Sequence, residues 1–527
     1  MLDLVQTEHD LFQSKRGISV KIDRSRDANL TDFGKAVLTD RYLMPGEEYQ
    51  DLFARVSCYF ADDSAHAQRI YDYMSNLWFM PSTPVLSNGG TERGLPISCF
   101  LNEATDSLDG IVNLWNENVW LASLGGGIGS YWGNLRSIGE KVGANGKTSG
   151  IIPFIRVMDS LRRGSAAIYI RVDHPEIEEF IELRRPSGGD PNRKALNLHH
   201  GIIIPDEFMR AVENDEEWGL KSPKDQAVIR KVSARSLWIR MLSTRIETGE
   251  PYFLYIDHVN KAIPEHHKLA GLEVKMSNLC SEITLPTGID KDGEQRTAVC
   301  CLSSLNLETY MEWKDHPTII EDIMRFLDNV IQDFIERAPD SMERAKYSAM
   351  RERSVGLGVM GYHSFLQSQN IPMESVMAKV WNKRIFKQIK EGADAASAVL
   401  AEERGPCPDA AEYGIMERFS NKMAIAPTAS ISIICGGSSP GIEPNAANAY
   451  THKTLSGSFS VRNKFLKALL AEKGMDDDDT WSSITVREGS VQHLDFLSDD
   501  EKDTFKTAFE IDQRWLIDHA GDRAEYI

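Results

Sequence analysis

Helix-like and strand-like stretches alternate along this chain. Apolar residues three and four positions apart predict helices within residues 42–78 and 319–345, whereas residues 277–307 have the character of β-strands. Residues 81–150 are rich in Gly, Ser, Thr and Asn around short apolar runs, which predicts strands joined by tight loops. This alternation favours an α/β architecture.

Charge and hydropathy exclude several classes of protein. No apolar run comes near the roughly 18 residues that a membrane-spanning helix needs. The N-terminus lacks the basic and then apolar order of an export signal. With 59 basic and 78 acidic residues the net charge is −19, which does not favour binding to DNA. We therefore expect a cytoplasmic protein that binds neither membrane nor DNA, although a local basic pocket for a nucleotide is compatible with this charge.

The cysteines and histidines do not form a known metal motif. Seven cysteines, an odd number in a chain without an export signal, predict reduced thiols rather than a disulfide framework. Neither a C-x-x-C pair nor an HExxH sequence occurs, so no metal site is expected. The pairs His199–His200 and His266–His267 are interpreted as surface or loop histidines.

Residues 276–283, with the sequence MSNLCSEI, form the strongest candidate site. If the segment is extended, Asn278, Cys280 and Glu282 point to one side, because alternate side chains of a strand share a face. An amide, a thiol and a carboxylate on one face are unusual for a core strand. The alternative is an edge strand with an inert buried cysteine. This segment alone does not decide between the two.

Two further segments contain cysteines. Residues 298–307, AVCCLSSLNL, carry adjacent Cys300 and Cys301, which could bond to each other only through a strained disulfide, so pairing elsewhere is the more plausible interpretation. Residues 98–101, SCFL, contain Cys99. In both cases a plain buried strand is the alternative to a functional site.

Two loops have the composition of phosphate-binding segments. Residues 125–130, GGGIGS, are rich in glycine but match neither the dinucleotide-binding pattern nor the P-loop. Residues 427–432, PTASIS, offer hydroxyls and backbone N–H groups that could hold an anion, especially ahead of a helix. Either loop could equally be an ordinary turn.

Taken together and in this order, the segments resemble the large catalytic subunit of class I ribonucleotide reductase. The similarity extends from about residue 38 to the C-terminus. It is carried by PSTPVLSNGGTERGLPISCFLNEATDSLDGI, LGGGIGSYWGNLRSIG, NGKTSGIIPF, SNLCSEITLPT, AVCCLSSLNL and APTASISIICGGSSPGIEP. Six motifs in a fixed order are far more specific than any one of them.

The resemblance implies a role for each residue of a reaction centre. Cys280 would become a thiyl radical that abstracts the 3′ hydrogen of the ribose, and Glu282 would act as the base on the 3′-hydroxyl. Asn278 would hold substrate hydroxyls. Cys99 and Cys300, rather than Cys301, would reduce the substrate and end as a disulfide. Loss of the 2′-hydroxyl as water takes two electrons, which explains why three cysteines have to converge.

The same resemblance implies two nucleotide sites. The residues expected to bind the substrate and its diphosphate are Thr83, Ser98, Gly127, Thr428, Ala429 and Ser430. A deoxynucleotide or ATP effector would bind at a specificity site made of Asp106, Ser107, Arg136, Arg162 and Arg163. Residues 151–164 are shorter than in the family, so part of the effector site is expected to be lost or rebuilt.

The family fold is a ten-stranded α/β barrel with the thiyl cysteine on a loop inside it. We expect a helical N-terminal region over residues 1–80, without the ATP-cone domain of many members, and a barrel over residues 81–527 that lacks its last strand. The tyrosine pair and the cysteine-bearing tail that follow that strand in the family are also absent from this sequence.

These features imply partners rather than a bound cofactor. The radical would come from a small subunit with a dimetal centre, and an external dithiol of the thioredoxin or glutaredoxin type would reduce the disulfide. The large subunit is expected to form a homodimer. Of the explanations for the missing tail, we favour a second polypeptide that supplies the C-terminal segment. The alternatives are a non-catalytic nucleotide-binding relative and a cobalamin-dependent reductase.

Overall fold

The structure, a computed structural model, describes residues 10–97, 99–144, 146–161, 165–454 and 457–527 and confirms the predicted α/β architecture. The strands are β1 (Asp10–Gln13), β2 (Ser19–Ile22), β3 (Phe79–Pro81), β4 (Cys99–Glu103), β5 (Gly127–Tyr131), β6 (Lys141–Val142), β7 (Gly146–Lys147), β8 (Ala166–Arg171), β9 (His199–Ile204), β10 (Glu217–Lys221), β11 (Val228–Ser233), β12 (Tyr252–Tyr255), β13 (Gly288–Ile289), β14 (Gln295–Arg296), β15 (Ala298–Asn306), β16 (Val355–Met360), β17 (Ala449–Thr454) and β18 (Gly457–Arg462).

The α-helices cover the sheet and form the N-terminal layer. They are α1 (Asp32–Arg41), α2 (Tyr49–Phe60), α3 (Ser64–Ser75), α4 (Thr83–Asn88), α5 (Leu108–Ser123), α6 (Ile152–Leu161), α7 (Ile177–Glu182), α8 (Asp206–Glu213), α9 (Ala234–Thr248), α10 (Ile256–Ala262), α11 (Glu265–Leu269), α12 (Tyr310–Trp313), α13 (Ile319–Arg337), α14 (Glu343–Glu352), α15 (Tyr362–Ser368), α16 (Val376–Arg404), α17 (Pro408–Ala411), α18 (Ile431–Ile434), α19 (Lys464–Glu472), α20 (Asp478–Val486), α21 (Asp499–Thr504) and α22 (Gln513–Arg523).

The central sheet consists of two parallel groups of strands that run in opposite directions. Seven strands follow the order β12-β9-β8-β5-β4-β15-β16, and β3 pairs beside β15 as the eighth. The first five are parallel, β15 is antiparallel to β4, and β16 is parallel to β15. Residues 421–424 extend the sheet beyond β16, because backbone hydrogen bonds join them to Val355 and Leu357.

The two faces of the sheet bury different sets of residues. Outward-facing side chains such as Phe100, Ile128 and Ile202 pack against the surrounding helices. Inward-facing side chains, including Leu101 and Ala167, form a second cluster around residues 272–287, which run through the concave side of the sheet. We call this segment the cysteine loop. It lies against strands whose successive side chains point alternately into the two clusters.

The helices predicted within residues 42–78 and 319–345 are confirmed as α2, α3, α13 and the start of α14. The helix α13 buries Ile323, Leu327, Val330 and Phe334, whose spacing of three or four places them on one face. Full burial of such a side chain stabilises the fold by about 1.5–3 kcal/mol.

Three local expectations were wrong. Residues 81–150 contain the 16-residue helix α5, which begins where the Ser107 hydroxyl accepts a hydrogen bond from the Gly110 N–H. The cysteine loop is not extended, as described below. His200, His266 and His267 are buried rather than on the surface, since β9 lies inside the sheet and α11 packs against α17.

Within the described ranges, no helix combines the length and the apolar character that crossing a bilayer requires.

Candidate active site

Two of the expected reaction-centre cysteines lie directly opposite each other in the sheet. Cys99, the first residue of β4, pairs in register with Cys300 of the antiparallel strand β15, and on its other side with Gly127 of β5. Directly opposed residues of antiparallel strands have Cα atoms about 4.5–5.5 Å apart. That separation lies within the range that a disulfide spans, and both residues are thiols in this structure.

Strand alternation separates the adjacent cysteines of β15. Cys300 packs in the cluster of inward-facing side chains around the cysteine loop, called here the inner cluster. Cys301 packs among the outward-facing side chains under the helices, called here the outer core. A Cβ atom on Gly356 of the neighbouring strand would lie 3.0 Å from the Cys300 Sγ and 2.6 Å from Leu302, so glycine makes room for the thiol. Only Cys300 of the two therefore faces the concave side of the sheet.

The apex of the cysteine loop is a closed turn rather than a strand. The backbone N–H of Asn278 donates to the Ile283 carbonyl, and the Asn278 Oδ1 accepts from the Ile283 N–H at 3.0 Å. Ser281 between them has a positive φ of 66°. An extended segment could not close on itself in this way, so the turn projects Cys280 at its tip.

A glycine and a tyrosine of the sheet hold this turn in place. A Cβ on Gly129 of β5 would lie 1.9 Å from the Ser277 carbonyl oxygen, so the loop touches the bare backbone of the sheet. The Tyr169 hydroxyl of β8 donates to the Asn278 carbonyl at 2.9 Å and lies 3.3 Å from the Ser281 Oγ. The ring of Tyr169 in turn rests over Gly201 of β9.

Burial at the turn raises the pKa values of its thiol and its carboxyl group. Although Cys280 is accessible to solvent, desolvation by the surrounding protein and the charge of Glu282 raise its pKa to about 11. Burial raises the pKa of Glu282 despite a hydrogen bond from Asn278. Its Oε2 has no hydrogen-bond partner among the described residues. Burial also raises the pKa of Cys300 well above that of an ordinary thiol.

The turn and the cysteine pair face each other. The Asn278 Nδ2 lies 3.7 Å from the Cys99 Sγ, and Asn278 is fully buried. Glu282 and Cys300 both line a cavity of about 420 Å³, together with Met423 and Arg523. The structure thus brings together Cys99, Asn278, Cys280, Glu282 and Cys300.

Two of the expected phosphate-binding residues meet at a tyrosine that the sequence did not indicate. The Tyr42 hydroxyl, just after α1, lies 2.8 Å from the Thr83 Oγ1, and the side chain of Ser430 is near enough to act on the pKa of this hydroxyl. Thr83 lies beside β15, since the Ser82 N–H donates to the Leu302 carbonyl. Both segments are therefore anchored near the strand that carries Cys300.

Of the remaining residues expected to bind the substrate, Thr428 is buried and Ala429 is exposed. Thr428 is buried with a positive φ of 55°, and its Oγ1 accepts a hydrogen bond from the Gly441 N–H at 2.8 Å, so it shapes the loop. Ala429 is exposed beside it. Ser98 lies outside the described residues.

The expected effector residues lie beyond the opposite end of β4. Arg136 binds the Asp106 carboxylate through its Nε and Nη2 atoms, with a shortest separation of 2.7 Å. Ser107 caps the N-terminus of α5. These three residues form one group, whereas Arg162 and Arg163 lie outside the described residues.

One group of buried residues has metal-ligand chemistry. Among the described residues, His267, Glu352 and Asp409 place a nitrogen and two carboxylate oxygens within 4.8 Å of one another. The Arg296 guanidinium donates to Asp409 at 2.6 and 2.9 Å and lies 3.3 Å from Glu352. A positive charge thus already occupies the space between the carboxylates, and the expectation of no bound metal stays a prediction.

The contact at Gly129 gives a testable expectation. Gly129→Ala should destabilise the fold by about 1–3 kcal/mol and displace the cysteine loop, because its Cβ would overlap the Ser277 carbonyl oxygen. Gly521→Ala is the matched control, since nothing lies within 4 Å of that helical position. Thermal or urea unfolding of the two variants measures the difference, and equal stability would contradict the close approach.

Comparison with known proteins agrees with this geometry. The family model for the ribonucleotide reductase barrel domain matches residues 97–413 and 409–527, and the one for the all-alpha domain of the same enzymes matches residues 28–94. The chain is 40% identical over 576 residues to a ribonucleoside-diphosphate reductase large subunit of Invertebrate iridescent virus 3, covering 96% of this chain and 89% of that protein. It is 32% identical to the Caenorhabditis elegans large subunit, with 95% and 72% covered.

A solved structure shows the same fold. The alpha subunit of the class Id ribonucleotide reductase of Actinobacillus ureae superposes with a TM-score of 0.84 at 33% sequence identity, covering 96% of this chain and 91% of that one. These matches confirm the expected barrel-type fold with its helical N-terminal layer. The chain therefore belongs to the family of ribonucleoside-diphosphate reductase large subunits.

Proposed function

We propose that this chain reduces ribonucleoside diphosphates to 2′-deoxyribonucleoside diphosphates by a thiyl-radical mechanism. The observation that carries the proposal is the pairing of Cys99 with Cys300 on the inner face of the sheet, with the turn that bears Cys280 directly in front of it. A structural role alone would not call for three converging thiols and an unpartnered carboxylate oxygen.

The proposed reaction begins and ends at Cys280. Its thiyl radical takes the 3′ hydrogen atom of the ribose, while Glu282 accepts the proton of the 3′-hydroxyl. The 2′-hydroxyl leaves as water with a proton from one thiol of the pair, and the other thiol supplies the hydrogen that replaces it at C2′. The two thiols give two electrons in all and become the Cys99–Cys300 disulfide. Cys280 then returns its hydrogen atom to C3′, and Glu282 returns its proton.

The raised pKa values support these roles. Cys280 and Cys300 stay protonated near neutral pH, and a protonated thiol can give a hydrogen atom or a proton. Raising the pKa of Glu282 by burial makes it a stronger base than an exposed carboxylate. A segment that covers the cavity beside Glu282 and Cys300 would keep water from the substrate radical.

We assign the substrate diphosphate to the group around Tyr42. Thr83 and Ser430 meet at its hydroxyl, and both belong to segments anchored on the strands next to the cysteine pair. Gly127, in register with Cys99, would let the substrate approach the backbone. Ser98, Thr428 and Ala429 complete the proposed set.

We assign a deoxynucleotide or ATP effector to the group formed by Asp106, Ser107 and Arg136, with Arg162 and Arg163 as further members. The half-buried Asp106–Arg136 pair stands at the N-terminus of the 16-residue helix α5. The same helix exposes Leu108, Val112 and Trp120 on one side, which supports a homodimer contact there.

Family membership implies a small-subunit partner that supplies the radical and an external dithiol reductant. We propose a small subunit with a dimetal centre and a reductant of the thioredoxin or glutaredoxin type, and cytoplasm as the place of action. The domain division at residue 80 stays a prediction.

We further propose that a second polypeptide supplies a segment that completes the barrel. Within the described residues, β12 has a neighbouring strand on one side only, and residues 421–424 form the opposite margin of the sheet. An additional strand segment could pair with these margins and cover the cavity lined by Glu282, Cys300 and Arg523.

A reconstitution assay tests the proposal. The chain is mixed with a family small subunit, a nucleoside diphosphate and dithiothreitol, with and without a separately expressed C-terminal segment of a family member. Deoxynucleotide formation that depends on the added segment supports the split arrangement. Formation without the segment would overturn that arrangement, and tight nucleotide binding without any product would support a non-catalytic relative. Product on addition of adenosylcobalamin alone would favour the cobalamin alternative.

The two adjacent cysteines give a matched pair of variants. Cys300→Ser should lower product formation at least about 10³-fold, because the serine hydroxyl cannot form the disulfide. Cys301→Ser should leave turnover within about twofold, since this side chain packs in the outer core. Equal losses in the two variants, measured in the reconstitution assay, would contradict the assignment.

A further inference from the structure

The two stems of the cysteine loop meet at one buried carboxylate. Glu103 is the last residue of β4 and only 4% exposed. Its Oε1 accepts a hydrogen bond from the Lys275 Nζ at 2.9 Å, and its Oε2 accepts one from the Thr287 Oγ1 at 2.6 Å. Lys275 belongs to the stem that enters the barrel and Thr287 to the stem that leaves it. Each carboxylate oxygen therefore holds one stem.

Further contacts fix the carboxylate itself. The Asn134 Nδ2, just beyond β5, donates to the Glu103 Oε1 at 3.1 Å. A Cβ on Gly288, at the end of the outgoing stem, would lie 2.7 Å from that oxygen, so the backbone approaches Glu103 closely. Gly288 has a positive φ of 89°, a conformation that favours glycine. These contacts leave Glu103 little freedom to move.

Glu103 and Cys99 share one rigid strand. Side chains at alternate positions of β4 point inward, so Cys99, Leu101 and Glu103 lie on the same face. Four residue steps separate Cys99 from Glu103, a span of about 13 Å. The same strand thus carries one thiol of the pair and the anchor of the loop that carries Cys280.

Desolvation of a carboxylate and an ammonium group is costly, and their attraction barely repays it unless the geometry and the added hydrogen bonds are good. Glu103 carries most of this cost, because it is buried whereas the Lys275 side chain is 30% exposed, and apolar residues at this position would pack the stems without that cost. A charged clamp instead makes the packing of the stems geometrically specific, because each hydrogen bond fixes one stem at a defined position along β4.

We propose that Glu103 is a positioning residue that sets the distance between Cys280 and the Cys99–Cys300 pair. The inference rests on the proposed function for its effect on turnover, but the clamp itself is a property of the loop. A loop displaced by about 1 Å would misplace the thiyl radical relative to the ribose, and such errors lower rates by about 10²-fold. Substrate affinity should change little, since Thr83 and Ser430 are held elsewhere.

The chain offers a matched control on the opposite face of the same strand. Glu117 of α5 is also buried, and it accepts hydrogen bonds from Asn102 of β4 and from Thr297 at 2.9 and 2.7 Å. Glu117→Gln changes a comparably buried and hydrogen-bonded carboxyl group without touching the cysteine loop. It therefore reproduces any general loss of stability caused by Glu103→Gln.

Two measurements test the clamp. A nitroxide attached to Cys280 in a Cys99→Ser background reports motion of the loop by electron paramagnetic resonance, without any need for turnover. Glu103→Gln and the milder Thr287→Val should each make the label more mobile, and Glu117→Gln should not. In the native cysteine background, reconstituted with a small subunit and the completing C-terminal segment, Glu103→Gln should lower kcat about 10- to 100-fold with KM within about twofold.

Each outcome decides the proposal. Unchanged label motion in both loop variants, or an equal increase in Glu117→Gln, would overturn the clamp, as would an unchanged kcat or a loss that falls mainly on KM. If Glu103→Gln does not fold, Thr287→Val and Lys275→Met provide the same two readouts. If the unsubstituted chain shows no turnover even with the small subunit and the completing C-terminal segment, the proposed function fails, and the label motion alone decides whether Glu103 holds the loop.

Discussion

Cys280→Ser is expected to reduce deoxynucleotide formation at least about 10³-fold. Serine fits the accessible tip of the turn, but its O–H bond is much stronger than the S–H bond, so no oxygen radical forms in place of the thiyl radical. The variant should bind nucleoside diphosphate as well as the parent, because Thr83 and Ser430 are unchanged. Its melting temperature should also be unchanged, since Cys280 is exposed. Product yield and calorimetric binding measure the two properties separately.

Cys58→Ala provides the control for the loss of a thiol as such. Cys58 is buried in α2, within the N-terminal helical layer. This variant should keep its turnover number even if its stability falls by about 1 kcal/mol. If Cys280→Ser retained turnover within tenfold of the parent, the thiyl assignment would be wrong.

Asp328→Asn is expected to destabilise the fold by about 3–5 kcal/mol, because it removes the carboxylate that Arg353 and Arg418 bind and leaves Arg404 with Asp62 alone. Asp328 of α13 is 1% exposed. It binds Arg353, Arg404 and Arg418 at 2.7, 2.6 and 3.0 Å and so joins α13 to the end of α16 and the segment that follows it. Urea unfolding of the two proteins measures the difference.

The effect should depend on pH in a defined direction. Burial acts to raise the pKa of Asp328, but the three guanidinium groups outweigh it and hold that pKa below its ordinary value. A carboxyl group whose pKa is lowered in the folded state stabilises the fold above its unfolded pKa of about 3.9. That contribution is lost as the pH falls through the folded pKa. The difference between parent and variant should therefore be full at pH 7 and shrink below about pH 4.

A surface ion pair supplies the control for this prediction. Glu391 and Lys387 are one helical turn apart on α16, and both are exposed. Glu391→Gln should change stability by at most about 0.5 kcal/mol, as is usual for exposed pairs. A loss in Asp328→Asn no larger than this would contradict the view that the arginine cluster stabilises the contact between α13 and α16.

The sequence predicted the elements better than their contacts. Spacing of apolar residues located α2, α3 and α13, since helices with one buried face repeat that pattern. The helix α5 was missed, because the glycine-rich and polar residues around it read as loop. At Cys280 the alternation suggested a strand and the family resemblance implied a loop. The structure has a closed turn there, which depends on hydrogen bonds between Asn278 and Ile283 that alternation does not encode.

In the candidate site, too, the sequence predicted the residues better than their contacts. The motifs located the three cysteines and Glu282, and the alternation along β15 explains in hindsight why Cys300 rather than Cys301 faces inward. Tyr42, Tyr169 and Glu103 gave no local signal, because each acts through residues far away in the chain. The buried state of His267 was missed for the same reason, as its neighbour Asp409 is distant in sequence.

A single-turnover experiment without external reductant tests the central claim most directly. The fully reduced chain is mixed with a radical-generating small subunit, a completing C-terminal segment that lacks its own cysteines, and a nucleoside diphosphate. Peptide mapping by mass spectrometry then locates any disulfide. We expect one Cys99–Cys300 disulfide for each deoxynucleotide formed, with Cys280 and Cys301 still reduced. Deoxynucleotide formed while Cys99 and Cys300 remain thiols would contradict this expectation.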